Sequence, residues 1–450
     1  MHSAKNFLFI FSLSLFLAFS VQGSTETENL AVQAVSNNSE EAKIAVGKLR
    51  EMKQAGLDAL FAKYDAEINR YKQTGEKSAE WSRIASAIDE VAMQKDAYAS
   101  HLFWLTDLEE AKRLSKETGK PILSLRLLGN LNEEFSCANS RFFRAVLYPN
   151  KDISKLLQAK YILHWQSVRP APRITVDFGD GRKIERTVTG NSIHYVLNEN
   201  GTVVNALPGL NSPRDFFTFL LNSESWLIRA KTFENSVKSG LMFINDGDKI
   251  KDKQNAYLKN MREREFGSLR QQVNRSAFPL KIKFDKKALA KREFEEMPTA
   301  ISVAPIAATK MAVEINFLPD ILPDITKYGA QQIDFETWKK IAQTKAENSK
   351  LDANSLAFIK NQLGKNNPDE KQFAALTLKL ENLIALDTVR NDFLLRPTLL
   401  VWLNKDLDKN FESLNKKVYD ELFLTPNEDK WLGLYAPDIY TGLDGNGIIY

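Results

Sequence analysis

The chain has 450 residues, which exceeds the size at which a single hydrophobic core stops growing, so two or three domains are expected. Its composition, 43% hydrophobic and 26% charged, is that of an ordinary globular protein. The formal net charge of +4 is too small to indicate an anionic partner, and no nucleic-acid-binding function is expected.

Residues 1–23 have the pattern of a signal peptide. Lys5 precedes an apolar run from Phe7 to Val21, and small residues follow at the positions that a signal peptidase reads. The run is shorter than the ~20 residues that a membrane-spanning helix needs. We therefore expect an exported protein, periplasmic or secreted, with no membrane span after cleavage.

Residues 24–100 are predicted to be a helical N-terminal region. Residues 24 to about 36 are polar, and we expect them to be disordered. Apolar residues then recur at steps of three and four from Glu40 to Tyr71 and from Ser78 to Tyr98, which is the period of amphipathic helices. Gly56 is a candidate break in the first of these helices.

The next segment, residues 101–225, has clear boundaries between helices and strands. Thr106 and Glu109 are interpreted as a capping box that begins a helix, and Gly119 ends it. The apolar run Ile122–Leu128 has the length of a strand, and the helical period after it begins near Cys137. The later elements are predicted to be a strand at 161–168, a hairpin at 174–188, strands at 193–197 and 202–206, and a helix capped by Ser212.

Cys137 is the only cysteine of the chain, and it lies in the first turn of a predicted helix. Backbone N–H groups and the helix dipole favour a thiolate at that position. Arg141 and Arg144 would favour the thiolate further, whereas Glu133 and Glu134 would oppose it. A single cysteine allows no internal disulfide, so Cys137 is buried and inert, free and reactive, or paired with another molecule.

Cys137-x-x-Ser140 at a strand-to-helix junction resembles the active-site corner of the thioredoxin-like superfamily, and residues 101–225 follow that superfamily's order of elements. The segments SCANSRFFRAVLYPN, VDFGDGRK, TGNSIHYVL and ALPGL are similar to large secreted bacterial proteins with a thioredoxin-like domain and no assigned activity. The resemblance extends through LDTVRNDFLLRP and ELFLTPNEDKWLGLYAPD towards the C-terminus. It implies an α/β thioredoxin-like central domain with an inserted β-hairpin.

The resemblance also implies a site. Cys137 and Ser140 would be its catalytic pair, although serine cannot resolve a mixed disulfide as the second cysteine of a dithiol enzyme does. Ser192 stands where the superfamily normally has a cis-proline. Ser192 and Ile193 would bind the client, that is, the protein whose disulfide is exchanged. Ser124 and Arg126 stand where dithiol members often have a buried carboxylate, which weakens the case for turnover.

Two histidines fall on predicted central strands, which makes a metal site an alternative interpretation. Cys137, His164 and His194 are residue types that bind zinc or copper. Spacing across strands carries little specificity, however, and histidines satisfied within the core are the favoured interpretation. No metal and no other cofactor is predicted.

Residues 226–450 are predicted to be mainly helical, with an aromatic tail from Phe423 to Tyr450. A proline-rich stretch from Pro298 to Pro323 is interpreted as a connector, and helices are expected at about 335–348, 354–363, 368–391 and 410–422.

Two functional hypotheses follow. In the first, the exported protein exchanges disulfides through the single thiol of Cys137 with a protein or a small-thiol partner. In the second, it is a redox-inactive thioredoxin-like scaffold or binding protein of the cell envelope. The oligomeric state does not follow from the sequence.

Overall fold

The computed structural model describes residues 26–187, 190–238, 247–277, 335–364, 368–405, 410–423, 425–428 and 430. The predicted signal peptide, the proline-rich connector and residues 431–450 of the aromatic tail lie outside these ranges. Within them the protein is α/β, with a four-stranded mixed sheet and a separate two-stranded hairpin. The predicted α/β class and the predicted β-hairpin are confirmed.

The N-terminal helices pack into a second hydrophobic cluster, which Phe358 of the C-terminal region joins. Their bounds are α1 (residues 26–33), α2 (Ser39–Glu51), α3 (Gln54–Lys63), α4 (Asp65–Thr74) and α5 (Trp81–Ala92). The expectation of disorder before residue 36 is wrong for α1. Leu30 and Ala31 are buried, and the Tyr64 hydroxyl donates a hydrogen bond to the Ala31 carbonyl oxygen at 3.4 Å.

Gly56 does not divide a helix, because the break comes earlier, at Lys53, whose φ is 60°. Gly56 lies inside α3, where a Cβ atom would meet the backbone oxygen of Leu49 at 1.9 Å. The glycine therefore lets α2 and α3 approach closely.

The central segment contains every strand among the described residues. Its elements are α6 (Leu108–Thr118), β1 (Ile122–Leu128), α7 (Ala138–Phe142), α8 (Lys151–Lys160), β2 (Ile162–Arg169), β3 (Arg173–Asp177), β4 (Lys183–Thr187), β5 (Ser192–Leu197) and β6 (Val203–Pro208). Asp107, not Thr106, caps α6, because its carboxylate accepts from the N–H groups of Glu109 and Glu110. Gly119 ends that helix with φ 73°, as predicted.

The four-stranded sheet has the order β2-β1-β5-β6. β1 is parallel to β2 and antiparallel to β5, and β5 is antiparallel to β6. α7 and α8 lie in the connection between the parallel strands, and the β3–β4 hairpin lies in the connection from β2 to β5. The carboxyl end of β1 therefore leads into the loop that carries Cys137.

The C-terminal region is helical where it is described. Its helices are α9 (Pro213–Lys238), α10 (Gly247–Ala277), α11 (Phe335–Ala342), α12 (Ala353–Leu363), α13 (Glu370–Arg390), α14 (Arg396–Lys405) and α15 (Phe411–Lys417). One turn of π-helix continues α7, α13 and α15, at Phe143–Leu147, Asn391–Leu395 and Val418–Leu422. None of the helices described has the length and apolar character needed to cross a membrane.

Helices cover both faces of the sheet. On one face, the His194 ring of β5 lies between Phe143 and Phe216, with centroid distances of 4.6 and 4.8 Å. On the other face, Tyr195 meets Phe411 of α15 edge to face at 4.9 Å. The sheet and the C-terminal helices therefore share one continuous hydrophobic core.

Candidate functional site

Cys137 lies at the junction that the sequence indicates. Its N–H donates to the Leu128 carbonyl at the end of β1 (3.1 Å), and its own carbonyl accepts from the Arg141 N–H (3.2 Å). With φ −57° and ψ 158°, Cys137 is the N-cap residue of α7. The backbone thus fixes the cysteine between strand and helix.

The Cys137 sulfur is enclosed by protein. The side chain is 0% exposed, and Sγ lies 3.9 Å from the Asn191 carbonyl oxygen, to which it can donate. Burial raises the pKa of the Cys137 thiol, although hydrogen bonding to the backbone and the hydroxyl of Ser140 lowers it in part. The neutral thiol is therefore the favoured form near neutral pH.

The cover over the sulfur comes from the β5 side and from the C-terminal region. The Asn191 carbonyl also accepts from the Tyr419 hydroxyl at 3.5 Å, and Tyr419 is 1% exposed. The Asn191 amide donates to the Phe423 carbonyl (3.3 Å) and to the Thr425 hydroxyl (3.1 Å). We call Asn191 and Tyr419, together with Phe423 and Thr425, which hold the Asn191 side chain, the thiol cover.

Ser140 faces its own helix turn. Its hydroxyl lies 2.6 Å from the Ser136 hydroxyl and 2.9 Å from the Cys137 carbonyl oxygen, and it is buried. It is therefore placed to order the turn around Cys137.

Ser192 and Ile193, the residues suggested for client binding, are both 0% exposed. The Ser192 hydroxyl accepts from the Asn139 amide at 3.0 Å, and its carbonyl accepts from the Gly209 N–H at 2.7 Å. Ile193 lies between Arg126 of β1 and Pro208 of β6 in the sheet. In this conformation neither residue offers a free strand edge to a client.

The two arginines proposed to tune the thiol have different surroundings. Arg141 donates to the Thr187 hydroxyl at the end of β4 (2.8 Å). Burial and the nearby Arg144 lower the pKa of Arg141, and interaction with Cys137 opposes this in part. Arg144 instead pairs with Asp96 at 3.5 Å.

His164 and His194 lie on opposite faces of the sheet, because they pair with the successive β1 residues Ser124 and Leu125. His164 Nδ1 is 2.9 Å from the Ser124 hydroxyl, and His194 Nε2 is 2.9 Å from the Tyr148 hydroxyl. Burial lowers the pKa of each histidine to about 3.

The structure therefore does not bring together the set Cys137, His164 and His194. Across the described ranges, no three histidine, cysteine or carboxylate side chains are grouped so as to hold a metal ion. Both histidines are buried core residues, and Nε2 of His164 has no hydrogen-bond partner among the described residues.

Sequence reasoning missed the thiol cover, because its members come from distant segments with no shared pattern. It also missed a contact between two of the segments that carry the family resemblance. Gly209, with φ 68°, lies against Asn391. A Cβ atom added at Gly209 would lie 2.6 Å from the side-chain amide of Asn391. The Ser212 N–H donates to the Thr388 hydroxyl at 2.8 Å. The loop after β6 thus docks on the end of α13.

Comparison with known proteins gives no match: no protein-family model, no curated protein and no solved structure matches this chain. The functional interpretation therefore depends on the resemblance described above and on the geometry of the site.

Proposed function

We propose that the chain is an exported thioredoxin-like protein that has no redox turnover and acts as a scaffold or binding protein of the cell envelope. The sheet order supports the thioredoxin-like part of this proposal. Two parallel strands are joined through α7 and α8, and two antiparallel strands and a helix come later in the chain, an order compatible with that superfamily. On this proposal Cys137 would correspond to the first reactive cysteine.

The observation that carries the redox-silent part is the enclosure of the Cys137 sulfur. Thiol-disulfide exchange needs a thiolate that reaches a disulfide sulfur from solvent. Cys137 is 0% exposed, and burial raises the pKa of its thiol. In the folded protein, burial therefore opposes both the approach of a disulfide to the sulfur and the ionisation of the thiol.

The neighbouring residues support the same proposal. Ser140 has no sulfur with which to resolve a mixed disulfide, and its hydroxyl already lies within hydrogen-bond distance of two partners. The Ser192 carbonyl is engaged by the Gly209 N–H, so a client strand would have to displace a sheet hydrogen bond.

Exchange through the single thiol of Cys137, with a protein or small-thiol disulfide partner, is the second candidate. The hydrogen bonds from Ser140, which lower the pKa of the thiol, favour it. This function requires the thiol cover to move, because Tyr419 and Asn191 stand over the sulfur.

The two candidates differ in their reaction with a small disulfide. Folded protein is incubated with oxidised glutathione, and the mixed disulfide at Cys137 is measured by intact mass. We expect no mixed disulfide on the folded protein and full reaction once the protein is unfolded in denaturant.

A Tyr419→Ala variant, which opens the cover, is expected to react while folded, and Tyr419→Phe is the matched control that keeps the ring. A mixed disulfide on the folded wild type at the rate of the unfolded chain would overturn the proposal.

A further inference from the structure

The β3–β4 hairpin has one apolar face, and its side chains are exposed. Val176 and Ile184 lie directly opposite each other in the register, so both side chains are on the same face. Alternation along the strand places Ile174 and Phe178 on that face too, because the Phe178 N–H continues the ladder. Val176, Phe178 and Ile184 are 46%, 51% and 42% exposed. We call Ile174, Val176, Phe178 and Ile184 the hairpin face.

Two contacts attach the hairpin at its base. The Thr187 hydroxyl accepts from Arg141 at 2.8 Å, and the Arg173 guanidinium lies 4.7 Å from the Phe135 ring centroid. Thr187 and Arg173 pair with each other on the side opposite the hairpin face. A two-stranded hairpin is marginally stable in water unless something packs on it, and grouped exposed apolar side chains mark interaction sites. We therefore expect another segment to pack on the hairpin face.

The charges beside the hairpin face are mainly positive. Arg182 and Arg186 lie on the same side as the apolar residues, whereas Asp177 and Glu185 lie on the opposite side. Arg182 pairs with Asp180 of the turn at 2.7 Å. Arg186 forms no ion pair with a carboxylate in the part of the chain that the structure describes. An apolar segment that carries carboxylates would therefore complement this surface.

The chain passes the base of the hairpin shortly before residue 431. The Pro426 carbonyl oxygen accepts from the Arg169 guanidinium at 2.8 Å. Arg169 ends β2, and β3 begins soon after it, at Arg173. An extended chain spans ~3.3 Å per residue, so each strand of the hairpin is only ~17 Å long. A segment as long as residues 431–450 can therefore reach the whole hairpin face.

The composition of residues 431–450 matches this surface. The segment is rich in aromatic and aliphatic residues, among them Trp431, Tyr435 and Tyr440. Its charged side chains are Asp438 and Asp444, and it contains no lysine or arginine. It is therefore apolar and acidic, where the hairpin face is apolar and basic.

We propose that residues 431–450 pack on the hairpin face. Their apolar side chains would cover Val176, Phe178 and Ile184, and a carboxylate of Asp438 or Asp444 would pair with Arg186. The inserted hairpin would then hold this segment and close its own apolar face to other proteins. This role is separate from the function proposed above, since it uses no atom of the thiol site.

The occupant of the hairpin face is identified by photocrosslinking of the full chain at low concentration. Phe178→p-benzoylphenylalanine places the reactive group on the hairpin face, and Lys183→p-benzoylphenylalanine places it on the opposite side, equally close to the turn. We expect the first variant to form a cross-link to a residue within 431–450 at the mass of a single chain, and the control to form none. A cross-link at the mass of two chains, no cross-link to 431–450, or equal cross-linking from both variants would overturn the proposal.

The chemistry of the contact is tested by chymotrypsin cleavage at Tyr435 and Tyr440 in the folded full chain. Ile184→Glu removes an apolar contact and repels the two aspartates, so we expect cleavage at least about tenfold faster than in the wild type. Thr175→Glu adds the same charge on the opposite side and should leave the rate unchanged. Equal rates in the wild type and Ile184→Glu, or equal acceleration by both changes, would contradict the proposed contact.

Discussion

At Cys137, two influences act on the sulfur in opposite directions. The hydrogen bonds at the start of α7 lower the pKa of the thiol, and burial raises it. The sequence predicts the first influence, because strand and helix patterns place the cysteine at the junction. It could not predict the second, because the covering atoms belong to Asn191 and Tyr419, which no local pattern connects to Cys137.

The buried histidines give a pH dependence whose sign follows from their lowered pKa values. His194 has a pKa of about 3 in the folded state, below its ordinary value of 6.5. Between these values the unfolded chain binds a proton that the folded chain excludes, so stability falls as the pH drops from 6.5 towards 3. One such group contributes a slope of about 1.4 kcal/mol per pH unit.

We therefore expect the free energy of unfolding of His194→Gln to vary less steeply with pH than that of the wild type between pH 6 and 4. Denaturant titrations at several pH values measure both slopes. Comparison of the two proteins removes the opposite contribution of carboxyls such as Asp89, whose pKa burial raises to about 6. Identical slopes would show that His194 is protonated in the folded state.

At the scale of elements, periodicity predicts which segments are helices and strands, and it places the starts of the C-terminal helices α11, α12 and α13 within two residues. It does not say what their apolar faces pack against. The position of α15 on the sheet depends on Arg126, which is 1% exposed, donates to Glu412 at 2.6 Å and lies 4.7 Å above the Phe411 ring. The sequence around Arg126 does not indicate that its carboxylate partner lies so far away along the chain.

Glu412→Gln is expected to destabilise the protein, because the buried Arg126 guanidinium loses its carboxylate partner. The loss should be about 1–2 kcal/mol, less than for a fully buried pair, since Glu412 is half exposed. Glu421→Gln is the matched control, because Glu421 pairs with Lys417 at 4.0 Å on the surface and should change stability by less than about 0.5 kcal/mol. Equal effects of the two changes in denaturant titrations would contradict the importance of the Arg126 contact.

The contact between the loop after β6 and the end of α13 is tested by alanine at two glycines with similar backbones. Gly209 and Gly119 have φ values of 68° and 73°, so alanine strains each by ~1–2 kcal/mol. Only at Gly209 does the new Cβ also meet a side chain, that of Asn391, because nothing lies within 4 Å at Gly119. Gly209→Ala should therefore lose more free energy of unfolding than Gly119→Ala. Equal losses would show that Asn391 moves aside without cost.

At the scale of the whole molecule, one hydrophobic core joins the central sheet to the C-terminal helices, and a second lies among the N-terminal helices. Composition and the order of elements predict an α/β centre with helical regions on either side. They do not predict that α15 and its π-helical turn complete the cover of the sheet, because amphipathic periodicity shows that a face is buried without showing its partner. This packing of the C-terminal helices on the sheet also encloses Cys137.

The enclosure of the Cys137 sulfur in the folded protein is tested most directly by its alkylation rate. Folded and denatured protein are treated with iodoacetamide at the same pH, and the labelled fraction is followed by intact mass. Because the thiol is fully buried, we expect the folded protein to react at least about a hundredfold more slowly than the denatured protein, at a rate limited by opening of the structure. Equal rates in the two states would contradict the enclosed thiol and favour disulfide exchange through Cys137.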